Sequence, residues 1–253
     1  MDAQFRDRFI TLWAKYFGEA ELPIGFYYTK DEACARHLRP TIGHACLIGQ
    51  LGQVRKGRPL CVSGDSVSCF GGKRYLGFRK EVIPDFEYFL SCGIPGKVIG
   101  ERYKKSPQIV RQAMANQASF DAPAKYAVFK RWDKLEESDP VAVVIFFAIP
   151  DVLSGLFTLA NFDETDPYAV IAPFGAGCGA ITLYPYLEKD RNPPRSVIGM
   201  FDISARPFVP ASTISFATPM AKFARMVENM GESFLTTKSW ARVRRRIQND
   251  LRG

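Results

Sequence analysis

The sequence predicts an α+β fold: one compact unit of two duplicated strand-helix-strand-loop halves related by a pseudo-twofold axis. Three observations predict it. Apolar residues recur at helical spacing in some stretches and as short β-branched runs in others, alternating along the chain. Two gap-free stretches, "TIGHACLIGQLGQVRKGRPLCVSGDSVSC" and "PDVLSGLFTLANFDETDPYAVIAPFGAGC", share one order of apolar helix, polar turn, strand and small-residue loop ending in cysteine. Finally, each half of a 253-residue chain is small for an independent core, so the halves are expected to pack as a single domain over 1–253.

The elements follow in order. Phe5, Phe9, Ile10, Leu12, Trp13, Tyr16 and Phe17 are spaced as one helix face, giving an N-terminal helix over 3–18 that Gly18 stops. The first half, approximately 22–120, opens with a strand, Leu22 to Tyr28. A segment carrying Cys34 and His37 leads to a helix starting after Pro40, with Ala45, Leu47, Ile48 and Leu51 on its apolar side, ended by Gly57. "PLCVSG" is a short strand that delivers the chain into "SVSCFGGKRYLGF", Ser66 to Phe78. Ser106 as N-cap and Pro107 at the first helical position start "SPQIVRQAMANQ". The second half, approximately 141–232, opens with "VAVVIFFAIP", whose length and β-branched content suit a buried strand. Asp151 is placed as the N-cap of the helix that follows, and Thr218-Pro219 opens a helix matching the one at Ser106-Pro107. In this alignment Cys69 falls over Cys178 and Tyr75 over Tyr184. A basic helix over 233–253 closes the chain.

Composition narrows the function. At 47% hydrophobic and 24% charged, with charges spread throughout, the chain has no stretch approaching the ~20 apolar residues of a membrane span. Its start lacks the apolar stretch and small-residue cleavage site of a signal peptide, which predicts a cytoplasmic protein. In a reducing compartment, the cysteines at 34, 46, 61, 69, 92 and 178 are expected as thiols, ligands or nucleophiles rather than disulfides. The net charge of +8 is concentrated in "KSWARVRRRIQNDLRG". That helix can dock on phosphates or simply be solvated, and no helix-turn-helix, RNA-recognition or zinc-finger signature accompanies it, which speaks against nucleic acid.

The chemistry-bearing residues lie in two loops. "PFGAGCGA" sets Gly175, Gly177 and Gly179 after a strand; glycines permit positive φ and close backbone approach, so they can form an anion nest or a plain tight turn. The spacing is not that of a dinucleotide fingerprint. Gly71 and Gly72 follow Cys69 in the same manner. Cys46, Cys69 and Cys178, from separate segments, could hold a soft transition metal or an iron-sulfur cluster, act as redox or nucleophilic thiols, or be core residues. His37 and His44 are the only histidines available to a cysteine-histidine nucleophile. Asp65 suits a turn, and Asp202 and Arg206 suit a loop ion pair or a ligand contact.

"HACLIGQLGQVRKG", "CFGGKRYLGF", "FGAGCGAITLYP" and "DISARPFVPASTISFATPM" together resemble the uncharacterised bacterial and archaeal family called domain of unknown function family 169, over about Leu22 to Met230. The resemblance implies weight on Cys46, on Cys69, Gly71, Gly72, Leu76 and Gly77, and on Gly177, Cys178 and Gly179. The chain departs from it at Ala205, before Arg206, which weakens a role for Arg206. The family carries no established activity, so the resemblance supplies residues without a reaction. The expectation is a protein binding a metal, an iron-sulfur cluster or a small molecule at paired cysteine-glycine loops; the alternative is a cysteine-dependent enzyme acting on an anionic small molecule with glycine loops as anion sites.

Overall fold

A computed structural model describes residues 2–38 and 43–250. Helix α1 (Ala3–Phe17) buries Phe9, Trp13, Tyr16 and Phe17 on one face; the Asp2 carboxylate accepts from the N–H of Gln4, and Gly18, at φ 67°, ends it. Strand β1 (Ile24–Thr29) follows, then a 3-10 turn over Glu32–His37 and α2 (Leu47–Arg55). Pro40, expected to precede that helix, lies outside the described residues. Next come β2 (Leu60–Ser63), α3 (Phe70–Tyr75), α4 (Phe86–Phe89), α5 (Pro107–Ala115) and β3 (Tyr126–Arg131). Ser106 caps α5 as its hydroxyl predicts, accepting from the N–H of Ile109.

The second part runs β4 (Val143–Ala148), α6 (Pro150–Ala160), β5 (Val170–Ile171), α7 (Gly177–Ile181), α8 (Leu183–Glu188), β6 (Ser196–Gly199), β7 (Ile214–Pro219), α9 (Met220–Asn229) and α10 (Lys238–Asp250). Two expected caps differ here. The N-cap of α6 is Ile149, and Asp151 sits in the first turn, where its carboxylate accepts from Arg246 at 2.6 Å. Thr218 and Pro219 end β7, and Pro219 is also the N-cap residue of α9, but the Thr218 hydroxyl does not cap that helix because it is engaged across the sheet, within 2.9 Å of the Ser196 hydroxyl.

The fold is α+β. Seven strands form one mixed sheet in the order β2-β3-β1-β4-β7-β6-β5, antiparallel except for β5 beside β6. Period-two alternation assigns the two faces. On β4, Val144, Phe146 and Ala148 enter one core, while Val143, Ile145 and Phe147 enter the other. The first core lies under α1, α6, α9 and α10, where Trp13 stacks on Phe17 at 4.2 Å and Phe9 meets Trp132 at 5.2 Å. Burial of each such ring contributes about 1.5–3 kcal/mol, which makes this aromatic layer the main anchor of the N-terminal helix. The second core, under α2 and α7, carries the candidate site.

One expectation about the thiols fails. Cys34 and Cys61 form a disulfide, with Cα atoms 6.0 Å apart, joining the 3-10 turn to edge strand β2. Both half-cystines sit in the first core, and the parallel bridge between Leu38 and Cys61 brings the two segments together. Among the described residues, Cys46, Cys69, Cys92 and Cys178 are free, and no helix is long and apolar enough to cross a membrane.

Candidate functional site

Cys46 and Cys69 are each the N-cap residue of a helix, α2 and α3, with extended backbone at φ −61° and −70°. Their approaches are tied together, since the Ala45 N–H donates to Ser68 Oγ at 2.9 Å. The segments just beyond them touch as well: a Cβ on Gly72 would stand 3.2 Å from the Cβ of Leu47 and 3.5 Å from Cys69 Sγ. The third thiol, Cys178, lies in the first turn of α7, with its sulfur 3.9 Å from where a Cβ of Gly71 would be. The structure therefore draws all three predicted cysteines, 46, 69 and 178, into one neighbourhood, and leaves Cys92 apart on the surface.

Their environments differ. The Cys69 sulfur accepts the Gly72 N–H at 3.3 Å and has the Cys46 thiol as its hydrogen-bonding neighbour in the titration of the pair. The Cys46 bond, and after it the N–H groups of Gly72 and Leu47 and the charge of His44, outweigh burial and bring Cys69 down to about 5 from the ordinary thiol range. The same hydrogen bond, together with burial, pushes Cys46 up. Burial also pushes Cys178 up, reinforced by the negative charge of Cys69 and of Asp202. The three thiols are thus pushed apart, Cys69 down and Cys46 and Cys178 up.

The predicted glycines serve close packing rather than left-handed backbone: Gly71, Gly72, Gly175, Gly177 and Gly179 are absent from the positive-φ residues. Gly179 admits the Tyr75 ring, which a Cβ would meet at 2.8 Å, and Gly175 admits the Tyr184 hydroxyl at 3.0 Å. Gly177 donates its N–H to the Asp202 carboxylate at 3.1 Å, and that carboxylate also accepts from the N–H and hydroxyl of Ser204. Asp202 therefore does not pair with Arg206. The Arg206 guanidinium donates to the carbonyls of Thr213 and Ala211, holding the loop that sets the Phe208 ring 3.0 Å from a Cβ position on Gly49 in α2.

Gln117 went unread in the sequence. Gln117 Nε2 donates to the hydroxyls of both Tyr75 and Tyr184, at 3.0 and 3.3 Å. Tyr75 lies close enough to Cys178 that burial and the neighbouring sulfur raise its hydroxyl to about 12. Nothing in the local pattern of "MANQAS" marks Gln117 as a bridge; only the two aligned tyrosines hint at a shared partner. Apolar side chains beside the loops, Phe174, Phe201 and Ile203, are exposed, and the Lys104 ammonium lies 4.0 Å over the Phe174 ring.

The fold is that of an α+β protein with three free cysteines gathered on one face of a mixed sheet. The family described as uncharacterised ArCR, domain of unknown function family 169, matches residues 15–229, and the chain belongs to it. Neither the curated proteins nor the solved structures offer a match.

Proposed function

We propose that this chain is a cysteine-dependent protein in which Cys69 is the reacting thiolate, Cys46 its proton donor, and a small molecule the substrate. The observation that carries this reading is the Cys69 sulfur, which accepts the Gly72 N–H and has the Cys46 thiol as its hydrogen-bonding neighbour. A thiolate so held is available as a nucleophile near neutral pH, where an ordinary cysteine is mostly protonated. Lys73 and Arg74 in the same short helix favour an anionic substrate. A cytoplasmic setting agrees with three unpaired thiols in the site. Site-resolved alkylation tests the reading: Cys69 should react at least tenfold faster than exposed Cys92 at pH 7, and equal rates would refute it.

A soft metal or iron-sulfur cluster is the second reading, favoured by three sulfurs converging from residues 46, 69 and 178. Among the described residues, no group of three or more His, Cys, Asp or Glu side chains is arranged to hold an ion. Iron or zinc in protein prepared without oxygen supports it; metal-free, colourless protein removes it.

The same proposal takes the chain as a duplication. Support comes from the sheet, in which β3 and β2 flank β1 as β7 and β6 flank β4, around the antiparallel β1–β4 pair. The aligned Tyr75 and Tyr184 meeting on Gln117 adds to it. β5, which the alignment sets over β2, lies one strand outside that place.

A further inference from the structure

We propose that Cys46 and Cys69 form a two-electron redox couple that closes to a disulfide when a hydroperoxide oxidises Cys69. The inference rests on the thiolate reading above and adds to it a substrate class and a partner for the sulfur. A disulfide needs Cα atoms about 4.4–6.8 Å apart with side chains directed at one another. The chain holds the two cysteines in register from both sides, by the Ala45–Ser68 hydrogen bond before them and the approach of Gly72 to Leu47 after them. Between these clamps the two sulfurs are near enough to perturb each other's titration. Cys46 and Cys69 are both partly exposed, whereas Cys178 is buried. A small oxidant therefore reaches the pair before it reaches the third thiol.

The chemistry balances in two steps. The Cys69 sulfur attacks the terminal oxygen of the hydroperoxide, the O–O bond breaks, and the departing alkoxide or hydroxide takes a proton to leave as alcohol or water. Cys69 is then a sulfenic acid, oxidised by two electrons. The Cys46 sulfur attacks the Cys69 sulfur and loses its proton, the S–O bond breaks, water leaves, and the new S–S bond forms. A dithiol reductant restores the pair by exchange, becoming a disulfide itself.

The test treats the full chain, its Cys34–Cys61 bond intact, with near-stoichiometric hydrogen peroxide, then alkylates and maps peptides by mass spectrometry. The expected result is loss of alkylation at positions 46 and 69 and a linked peptide joining them, reversed by dithiothreitol. In Cys46→Ser, oxidation should stop at a sulfenic acid on Cys69 that dimedone traps, and in Cys69→Ser neither product should form. Overoxidised Cys69 with no linked peptide in the unmutated chain overturns the couple, as does a link from Cys69 to Cys178. If Cys69 alkylates rapidly yet never links to Cys46, only the couple falls. If Cys69 is no more reactive than Cys92, the thiolate reading falls with it.

Discussion

Ser68 Oγ accepts the N–H of Ala45 at 2.9 Å, joining the residues that stand immediately before Cys69 and Cys46. Two helix starts that are far apart in sequence are thereby set side by side, and each presents a sulfur to the other. Removing this bond should matter more to chemistry than to stability. Ser68→Ala is expected to cost about 0.5–1.5 kcal/mol, the usual net value of one hydrogen bond, while slowing alkylation of Cys69 severalfold at pH 7. Thermal melts and site-resolved labelling rates check the two halves of this expectation.

The pH profile of Cys69 labelling is a second expectation. With the thiol brought down to about 5, the rate should be flat at neutral pH and fall as pH drops through that value. Cys46→Ala removes the leading cause, so the midpoint should rise toward the ordinary cysteine value of about 8.5. An unchanged midpoint in the variant would assign the shift to the backbone N–H groups instead.

Gly179 leaves no room for a methyl group, since an added Cβ would stand 2.8 Å from two carbons of the Tyr75 ring. Gly179→Ala should destabilise the chain by about 1–3 kcal/mol through overpacking. It should also disturb the Tyr75–Gln117–Tyr184 bridge, visible as a shift in tyrosine ultraviolet absorbance. Gly52→Ala, where nothing lies within 4 Å of the new Cβ, is the matched control and should be neutral or slightly stabilising.

How much of this was legible in the sequence varies by element. α1, β1 and β4 are dense in apolar residues over a full turn or more, and their local pattern alone reveals them. β7 was hidden because Thr218-Pro219 has the form of a helix opening, and a helix does start at Met220; the pairing of Thr218 with Val144 and its contact with Ser196 make the threonine a strand residue. β3 escaped because its lysine and arginine mask a strand in which every position but Arg131 is buried, Lys130 included. Of the site, the three cysteines were visible as residues, and their meeting was suggested by the alignment of Cys69 with Cys178. The division of labour among them was not, because the Cys46–Cys69 contact and the Asp202 carboxylate on Gly177 depend on segments brought together by the sheet. The pairing of Cys34 with Cys61 was misjudged on compartment, when proximity on edge strand β2 decided it.

That bond supplies a fourth expectation. Its half-cystines are 27 residues apart, and a loop of this size confers about 3.5 kcal/mol by limiting the unfolded chain. Cys34→Ala with Cys61→Ala should lower the melting temperature by about 7–14 °C, taking about 2–4 °C per kcal/mol for a chain of this length. The rate of Cys69 labelling in the folded double variant reports whether α2 still presents Cys46 correctly.

The C-terminal helix α10 is anchored by Trp240 rather than by its arginines. The indole packs on Phe17 at 5.2 Å and donates to the Tyr16 carbonyl at 2.8 Å. Trp240→Ala should cost about 3–5 kcal/mol, whereas Arg242→Glu with Arg245→Glu, both exposed, should stay within about 0.5 kcal/mol. If those two arginines dock on phosphates, the double variant should instead lose salt-dependent retention on immobilised DNA without any loss of fold.

The central sheet also acts as an insulator. Its two faces divide the sulfur chemistry of one small chain: the bonded pair, Cys34 and Cys61, belongs to the layer under α1, and Cys46, Cys69 and Cys178 belong to the layer under α2. A thiolate exchanges with a disulfide only on direct contact of the sulfurs, and here the two sets of sulfurs pack on opposite faces of the sheet. Direct exchange between the thiolate proposed for Cys69 and the Cys34–Cys61 cystine would therefore require movement at edge strand β2.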